Sequence, residues 1–208
     1  MISVILPWRG RPEELYRTVE NLDHPGVEIV IVFDGESEEF RRFENSEYQA
    51  VVKKVLSPAP REFVGAVNLG WKEATGNLIM IWAADCLIDD PQWYEKVEAN
   101  YKRNFPKGGG LLCADDGYWE GKIAIHPIID RNFVEWIGYV GGEVLYPGYI
   151  HYGIDNELTE RAKADGRYAY DPELKYSHPA PDDRNGYQSC RWKDLDRATL
   201  VKRRELWS

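Results

Sequence analysis

The sequence has little that would place it outside an ordinary aqueous fold. Its three cysteines, Cys86, Cys113 and Cys190, are odd in number and none forms a CxxC pair. That excludes a complete disulfide framework and a cysteine-built zinc site, and it predicts reduced thiols in a cytoplasmic setting. No apolar run approaches the length of a membrane span, so no integral membrane segment is expected. The opening run Met1 to Pro7 lacks a basic leader and a cleavage site, and it reads as a strand instead of a signal peptide. Internal repeats and low-complexity tracts are missing too. Positive charge is scarce: 26 Lys and Arg face 35 Asp and Glu, a formal net charge of −9. Such a chain repels phosphate backbones, so a nucleic acid acceptor is not favoured and only a local basic groove would suit one.

What is present is an ordinary globular balance with a heavy aromatic load. Apolar residues make up 43% and charged residues 29% of the 208 positions, enough to bury a core in one domain. Eight Trp and thirteen Tyr are weighted towards the second half. Flat amphipathic rings suit sugar or base stacking, although any single ring is as well explained by core packing. Apolar β-branched runs over Ile2–Leu6, Val27–Phe33, Ala50–Leu56 and Leu78–Ala83 predict buried strands. Helical spacing over Arg11–Leu22, Glu62–Ala74 and Pro91–Tyr101 predicts the helices between and after them, with Gly76 as a C-cap. Further on, Leu111–Ala114 and Lys122–Ile129 are strand candidates, and helices are expected over Asn132–Val140, Asp155–Ala164 and Asp194–Leu206.

Strands alternating with helices predict an α/β fold with a mainly parallel central sheet flanked by helices. The whole chain, residues 1–208, is read as one domain, with a nucleotide-binding half up to about residue 105 and an acceptor-facing half from about 106 onwards. In such sheets ligands sit beyond the carboxyl ends of the strands. Pro7-Trp8-Arg9, Asp34 and Asp85 all fall at strand ends and should meet in one crevice. A carboxylate in that position suits a hard cation, which in turn would carry a diphosphate. On its own segment, Asp85 serves equally well as a turn or cap residue ahead of Asp89-Asp90-Pro91.

Five segments, in order, resemble family 2 glycosyltransferases of the GT-A fold. They are Ile2-Ser3-Val4-Ile5-Leu6-Pro7, Val30 to Ser37, Ala66 to Ile79, Ala83-Ala84-Asp85, and Gly153 to Arg161. The second resembles the family's "VVDDGS" stretch and the third its "ARNLGIEAAKGEYI" stretch. The fourth falls on the DxD metal motif, and the fifth resembles the segment that bears the catalytic base. The resemblance implies a nucleotide-sugar donor, UDP-linked, and Mn²⁺ or Mg²⁺ as cofactor, with inversion at the anomeric carbon. It implies that Asp34 reads the base, that Pro7 and Arg9 line the same pocket as Asn68 and Ala84, that Asp85 binds the metal, and that Asp155 deprotonates the acceptor hydroxyl. It departs from the pattern at Ala83, where the first Asp of DxD would stand, at Val67 in place of an Arg, and at Ile154 in place of a Glu.

Later motifs extend this reading. His178 stands where related enzymes place a second metal ligand, and imidazole accepts Mn²⁺. Gln188-Ser189-Cys190-Arg191-Trp192 reads as QxxRW, which resembles the motif of processive polysaccharide synthases; Arg191 offers a guanidinium to phosphate and Trp192 a platform to a sugar. His126 and His151 are expected on the acceptor side or in structural roles, and His24 in a solvated turn. Asp115-Asp116-Gly117 reads as a turn. Tyr146, Tyr149 and Tyr152 are divided between acceptor site and core. Lys202 to Glu205 reads as a solvated helix end.

The expectation is therefore a metal-dependent glycosyltransferase moving a sugar from a nucleotide donor to a glycan or other hydroxyl acceptor. Two alternatives stand beside it. One is a non-catalytic nucleotide- or carbohydrate-binding module on the same fold, which the reduced DxD motif would suit. The other is a nucleotidyltransferase, for which Pro7-Trp8-Arg9-Gly10-Arg11 is a poor phosphate loop.

Overall fold

The fold is known from a computed structural model, which describes residues 1–44, 47–177 and 190–207, without the side chains at 190 and 191. Eight strands form one sheet. They are β1 (Ile2–Trp8), β2 (Val27–Asp34), β3 (Val51–Ser57), β4 (Leu78–Ile81), β5 (Leu87–Ile88), β6 (Leu111–Asp115), β7 (Pro127–Asp130) and β8 (Tyr168–Ser177), in the spatial order β3-β2-β1-β4-β7-β6-β8-β5. Seven helices are described: α1 (Pro12–Asn21), α2 (Ser37–Arg42), α3 (Glu62–Glu73), α4 (Trp93–Asn104), α5 (Arg131–Ile137), α6 (Ile154–Ala164) and α7 (Cys190–Arg204).

The first four strands in that order are parallel, as predicted, and β6 pairs parallel to β8. β7 runs antiparallel between β4 and β6, and so joins the two parallel blocks. The α/β architecture with its mainly parallel sheet and covering helices is thus the one expected.

Alternation along the buried strands sends side chains to two separate cores. Val4, Leu6, Ile29, Ile31, Phe33, Met80 and Trp82 pack on one face with Leu15 and Val19 of α1 and Val97 of α4. Ile5, Val30, Ile79, Ile81, Leu111 and Ile129 pack on the other with Val64 and Val67 of α3, Phe133 of α5 and Leu158 of α6. Each fully buried aliphatic side chain contributes about 1.5–3 kcal/mol, so both faces matter. Gly70 lets α3 lie close on the sheet. A Cβ there would stand 2.8 Å from Ile5 Cγ2 and 2.9 Å from Val32 Cγ2.

Several boundaries differ from expectation for identifiable reasons. β1 runs on through Pro7 because its ladder with β4 has already ended at Ile5–Ile81, so no partner requires the missing N–H on that side. Gly76 is not the cap of α3, which closes at Ala74. It is glycine because a Cβ would meet Ser3 N at 2.7 Å and the Met1 carbonyl at 2.9 Å. The candidate strand over 122–129 is a strand only from Pro127. α5 ends earlier than expected, at Ile137, closed by left-handed Gly138. Among the described residues no helix is long and apolar enough to cross a membrane.

Candidate active site

Because β1, β2 and β4 are parallel neighbours, their carboxyl ends open on the same edge of the sheet. Trp8 closes β1, buried, its indole N–H donating to the Arg11 carbonyl at 3.1 Å. Pro7 is half-buried beside it. Arg9 projects into solvent and pairs with Glu62 at 3.7 Å.

Asp34 ends β2 and is 4% exposed. Its carboxylate accepts the backbone N–H of Arg61 at 2.7 Å and of Glu62 at 3.1 Å, at the amino end of α3. Burial pushes its pKa above the usual aspartate value, against the pull of those two N–H groups and of the Arg9 charge. Gly35 must follow it: φ is +82°, and a Cβ would lie 3.1 Å from Pro60. Glu62 itself has φ 59°, a strained value for a non-glycine residue, of the kind that collects at functional sites.

Asp85 lies four residues beyond β4 in a turn closed by Cys86 N–H donating to the Ala83 carbonyl at 3.2 Å. α1 holds this turn from behind, Thr18 Oγ1 donating to the Ala84 carbonyl at 2.7 Å. Trp82 Nε1 donates to the Cys86 carbonyl at 3.2 Å. Asp85 is half-buried. Next to it, buried Cys86 and His126 meet at 3.2 Å, Sγ to Nε2, while His126 Nδ1 lies 3.2 Å from the Ile81 carbonyl. A carbonyl only accepts, so Nδ1 carries a proton, and the Cys86 thiol also donates to Asp85 Oδ1 at 3.7 Å. His126 thus takes the structural of its two expected roles, walled in by Trp82 and Tyr176.

Asp155 lies in the first turn of α6, after Gly153 at φ 77°. Burial raises its pKa, with the backbone N–H groups of Asn156, Asp155 and Gly153 opposing. The loop before it is fixed from two sides. Val64 N–H, in the first turn of α3, donates to the Ile150 carbonyl at 3.2 Å. Buried Asp196 on α7 accepts the N–H groups of Ile150, His151 and Tyr152 at 2.7–2.8 Å. The amino end of α3 therefore contacts both Asp34 and the loop leading to Asp155.

Asn68 is buried on α3 with its amide engaged at both ends by the Leu145 backbone, 2.9 Å each way. Ala84 is half-buried in the Asp85 turn, and Trp192 is half-buried in the first turn of α7. His178, Gln188, Ser189 and the Arg191 side chain lie outside the described residues. Among the described residues no group of three or more His, Cys, Asp or Glu could hold a metal ion. Asp85 offers a hard carboxylate at this edge, a donor type that suits a divalent cation.

Sequence reasoning missed a buried cluster next to this site. Glu157 is fully buried and accepts from Tyr139 and Tyr149 hydroxyls at 3.0 and 2.9 Å and from Arg203 at 2.6 and 3.0 Å. Tyr149 is thus a core group, and Arg203 is no solvated helix end. The available signal was Glu157-x-x-x-Arg161, one helical turn apart, which pairs at 3.4 Å. His24 is also less solvated than expected, stacked on Tyr94 with ring centroids 4.2 Å apart. Asp115-Asp116-Gly117 is the turn predicted, with both carboxylates accepting from N–H groups two residues on.

Comparisons with known proteins bear on the fold and the family. The chain resembles a mannosyltransferase, PcManGT from Pyrobaculum calidifontis, solved with GDP-Man and Mn²⁺: TM-score 0.71, 18% identity, 97% of this chain and 64% of that one. It also resembles residues 1–349 of TarS from S. aureus, solved with UDP-GlcNAc: TM-score 0.67, 15% identity, 91% of this chain and 60% of that one. The chain thus spans less than two thirds of the length of either. No curated protein sequence matched it. At these identities the two structures establish the GT-A fold. A family model described as glycosyl transferase family 2 matches residues 3–122, more than half of the 208, and the chain belongs to that family.

Proposed function

We propose that the protein transfers a sugar from a nucleoside diphosphate donor, UDP-linked, to an acceptor hydroxyl with inversion. The observation that carries this reading is the convergence on α3. Its amino end touches both Asp34 and the Asp155 loop, on the sheet edge where the Asp85 turn emerges. The two solved relatives hold GDP-Man and UDP-GlcNAc, which supports a nucleotide-sugar donor in general.

In this reading Asp34 accepts an N–H of the base, and Pro7 and Arg9 flank it. Asn68 shapes the pocket indirectly by holding the Leu145 segment on α3. Asp85 and His178 would hold Mn²⁺ or Mg²⁺, which would supply positive charge against the diphosphate leaving group, and Ala84 belongs to the same turn as Asp85. Arg191 and Trp192 of α7 are assigned to the donor as a cation for phosphate and a ring for the sugar. Asp155 accepts the proton of the acceptor hydroxyl. The hydroxyl oxygen forms its bond to the anomeric carbon as the bond to the diphosphate breaks, and the nucleoside diphosphate leaves. A carboxylate raised by burial suits this base role, since its proton affinity moves towards that of the hydroxyl being ionised. The donor half extends to about residue 105, and the acceptor half follows it.

Thermal-shift measurement over a panel of nucleotide sugars with Mn²⁺ should single out one donor by its stabilisation. With that donor, nucleotide release should require the divalent ion, and Asp155→Asn should bind donor but lose transfer. Retained turnover in Asp155→Asn would remove it from the mechanism. Donor binding with no release under any condition would leave a binding module.

A further inference from the structure

A cavity of about 220 Å³ opens between the end of α5 and the end of α7, and none of its lining residues belongs to the Asp34–Asp85 edge. Its walls include the rings of Tyr139, Tyr146 and Trp207 and the guanidinium groups of Arg161 and Arg203. The charges do not balance. Among the described residues, both guanidiniums pair with one carboxylate, Glu157. Glu157 is already filled by two tyrosine hydroxyls and by the two-pronged grip of Arg203. Its contact with Arg161 is the longest of the set, at 3.4 Å.

Two guanidiniums thus share one carboxylate, and Arg161, its side chain only 19% exposed, has the weaker hold on it. Nη2 donates to the Ile137 carbonyl at 3.0 Å and Nη1 to Glu157 at 3.4 Å, so two of the five guanidinium N–H groups are engaged in a side chain that lines the cavity. Trp136, Tyr139 and Trp207 lie each 5.6 Å from its guanidinium carbon. Cation–π contacts alone would hold Arg161 in place, but they need no cavity beside it. A fork-shaped cation next to aromatic walls matches one kind of molecule: a sugar ring carrying a carboxylate or phosphate. The anion meets the guanidinium and the C–H face of the ring meets the indole.

We infer that the Arg161–Trp207 cavity is a binding site for an anionic monosaccharide unit, separate from the donor crevice. The inference does not depend on the transfer reaction, because binding is read directly. Isothermal titration of the full chain with glucose 6-phosphate, glucuronate, glucose and inorganic phosphate tests it. One of the two anionic sugars should bind at least about 10-fold more tightly than both glucose and phosphate, a difference of about 1.4 kcal/mol. Arg161→Gln should abolish that binding, and Trp207→Ala, which removes one ring from the cavity wall, should weaken it. Both should leave nucleotide-sugar binding intact, which also reports that they are folded. Four results overturn the inference: no binding of either anionic sugar, equal binding of glucose or phosphate, unchanged binding in Trp207→Ala, or displacement by a nucleoside diphosphate.

Discussion

Glu157 and Arg203, 46 residues apart, form a two-pronged pair of 2.6 and 3.0 Å with the carboxylate fully buried. This pair fastens α7 to α6. Removing the cation alone leaves a buried charge held by two tyrosine hydroxyls and, as its one remaining cation among the described residues, the more distant Arg161, so Arg203→Met should destabilise the fold by about 3 kcal/mol. Adding Glu157→Gln removes the orphaned charge as well, and the double variant should be more stable than Arg203→Met. Urea unfolding of the two variants checks the order. A double variant less stable than Arg203→Met would show that the pair is not what holds α7.

Asp196 makes the second attachment of α7, and its effect should be on catalysis more than on donor affinity. Its carboxylate collects three N–H groups from the loop ahead of Asp155. Asp196→Asn turns one acceptor oxygen into a donor facing an N–H, and the loop must shift. Misplacing a reacting group by around 1 Å costs on the order of 100-fold in rate. Steady-state kinetics should therefore show a fall in kcat of about 10- to 100-fold with little change in donor KM. A change in donor KM alone would assign Asp196 to the donor side.

The legible part of this fold was its apolar periodicity. β1, β2 and β4 are short β-branched runs whose neighbours on both sides bury them, so composition alone marks them. β8 escaped because it lies at the curled side of the sheet: its sequence, Tyr168 to Ser177, is half polar and carries Pro172. Its register with β6 slips between Ala114 and Asp115, which breaks the period-two pattern. The positions of Asp34 and Asp85 at the sheet edge were readable because each follows an apolar run, Asp34 at its end and Asp85 four residues past it. Glu157, Asp196 and Arg203 were not. Each is a polar residue on an otherwise charged helix, and only long-range pairing across 44 to 46 residues separates it from a solvated neighbour.

The protonation of Asp155 sets the acid side of the proposed activity. Burial places its pKa above the ordinary aspartate value of 3.8. A base works only when ionised, so kcat should rise with pH through a midpoint above that value and then level off. The limb should be absent from the residual activity, if any, of Asp155→Asn. A limb centred at or below 3.8 would mean that another group titrates.

Acid stability should be governed at a different place, Glu28. This residue sits on β2 with its side chain 2% exposed, paired with Lys53 at 2.6 Å. It also accepts from Thr75 N and Thr75 Oγ1, both at 2.7 Å, and from Ser3, and so joins β1, β2, β3 and the approach to β4. Burial alone would raise its pKa, but the bonds from Lys53, Ser3 and Thr75 win and bring it from 4.5 to about 2. The folded state thus binds the proton more weakly than the unfolded chain. Its stabilisation is complete above the unfolded value of 4.5 and disappears as pH falls towards 2. The full effect is at most about 3 kcal/mol. Glu28→Gln should lower the melting temperature at pH 7 and flatten its dependence between roughly pH 5 and 2. A variant that melts with the same pH slope as the parent over that window would place the acid-labile group elsewhere.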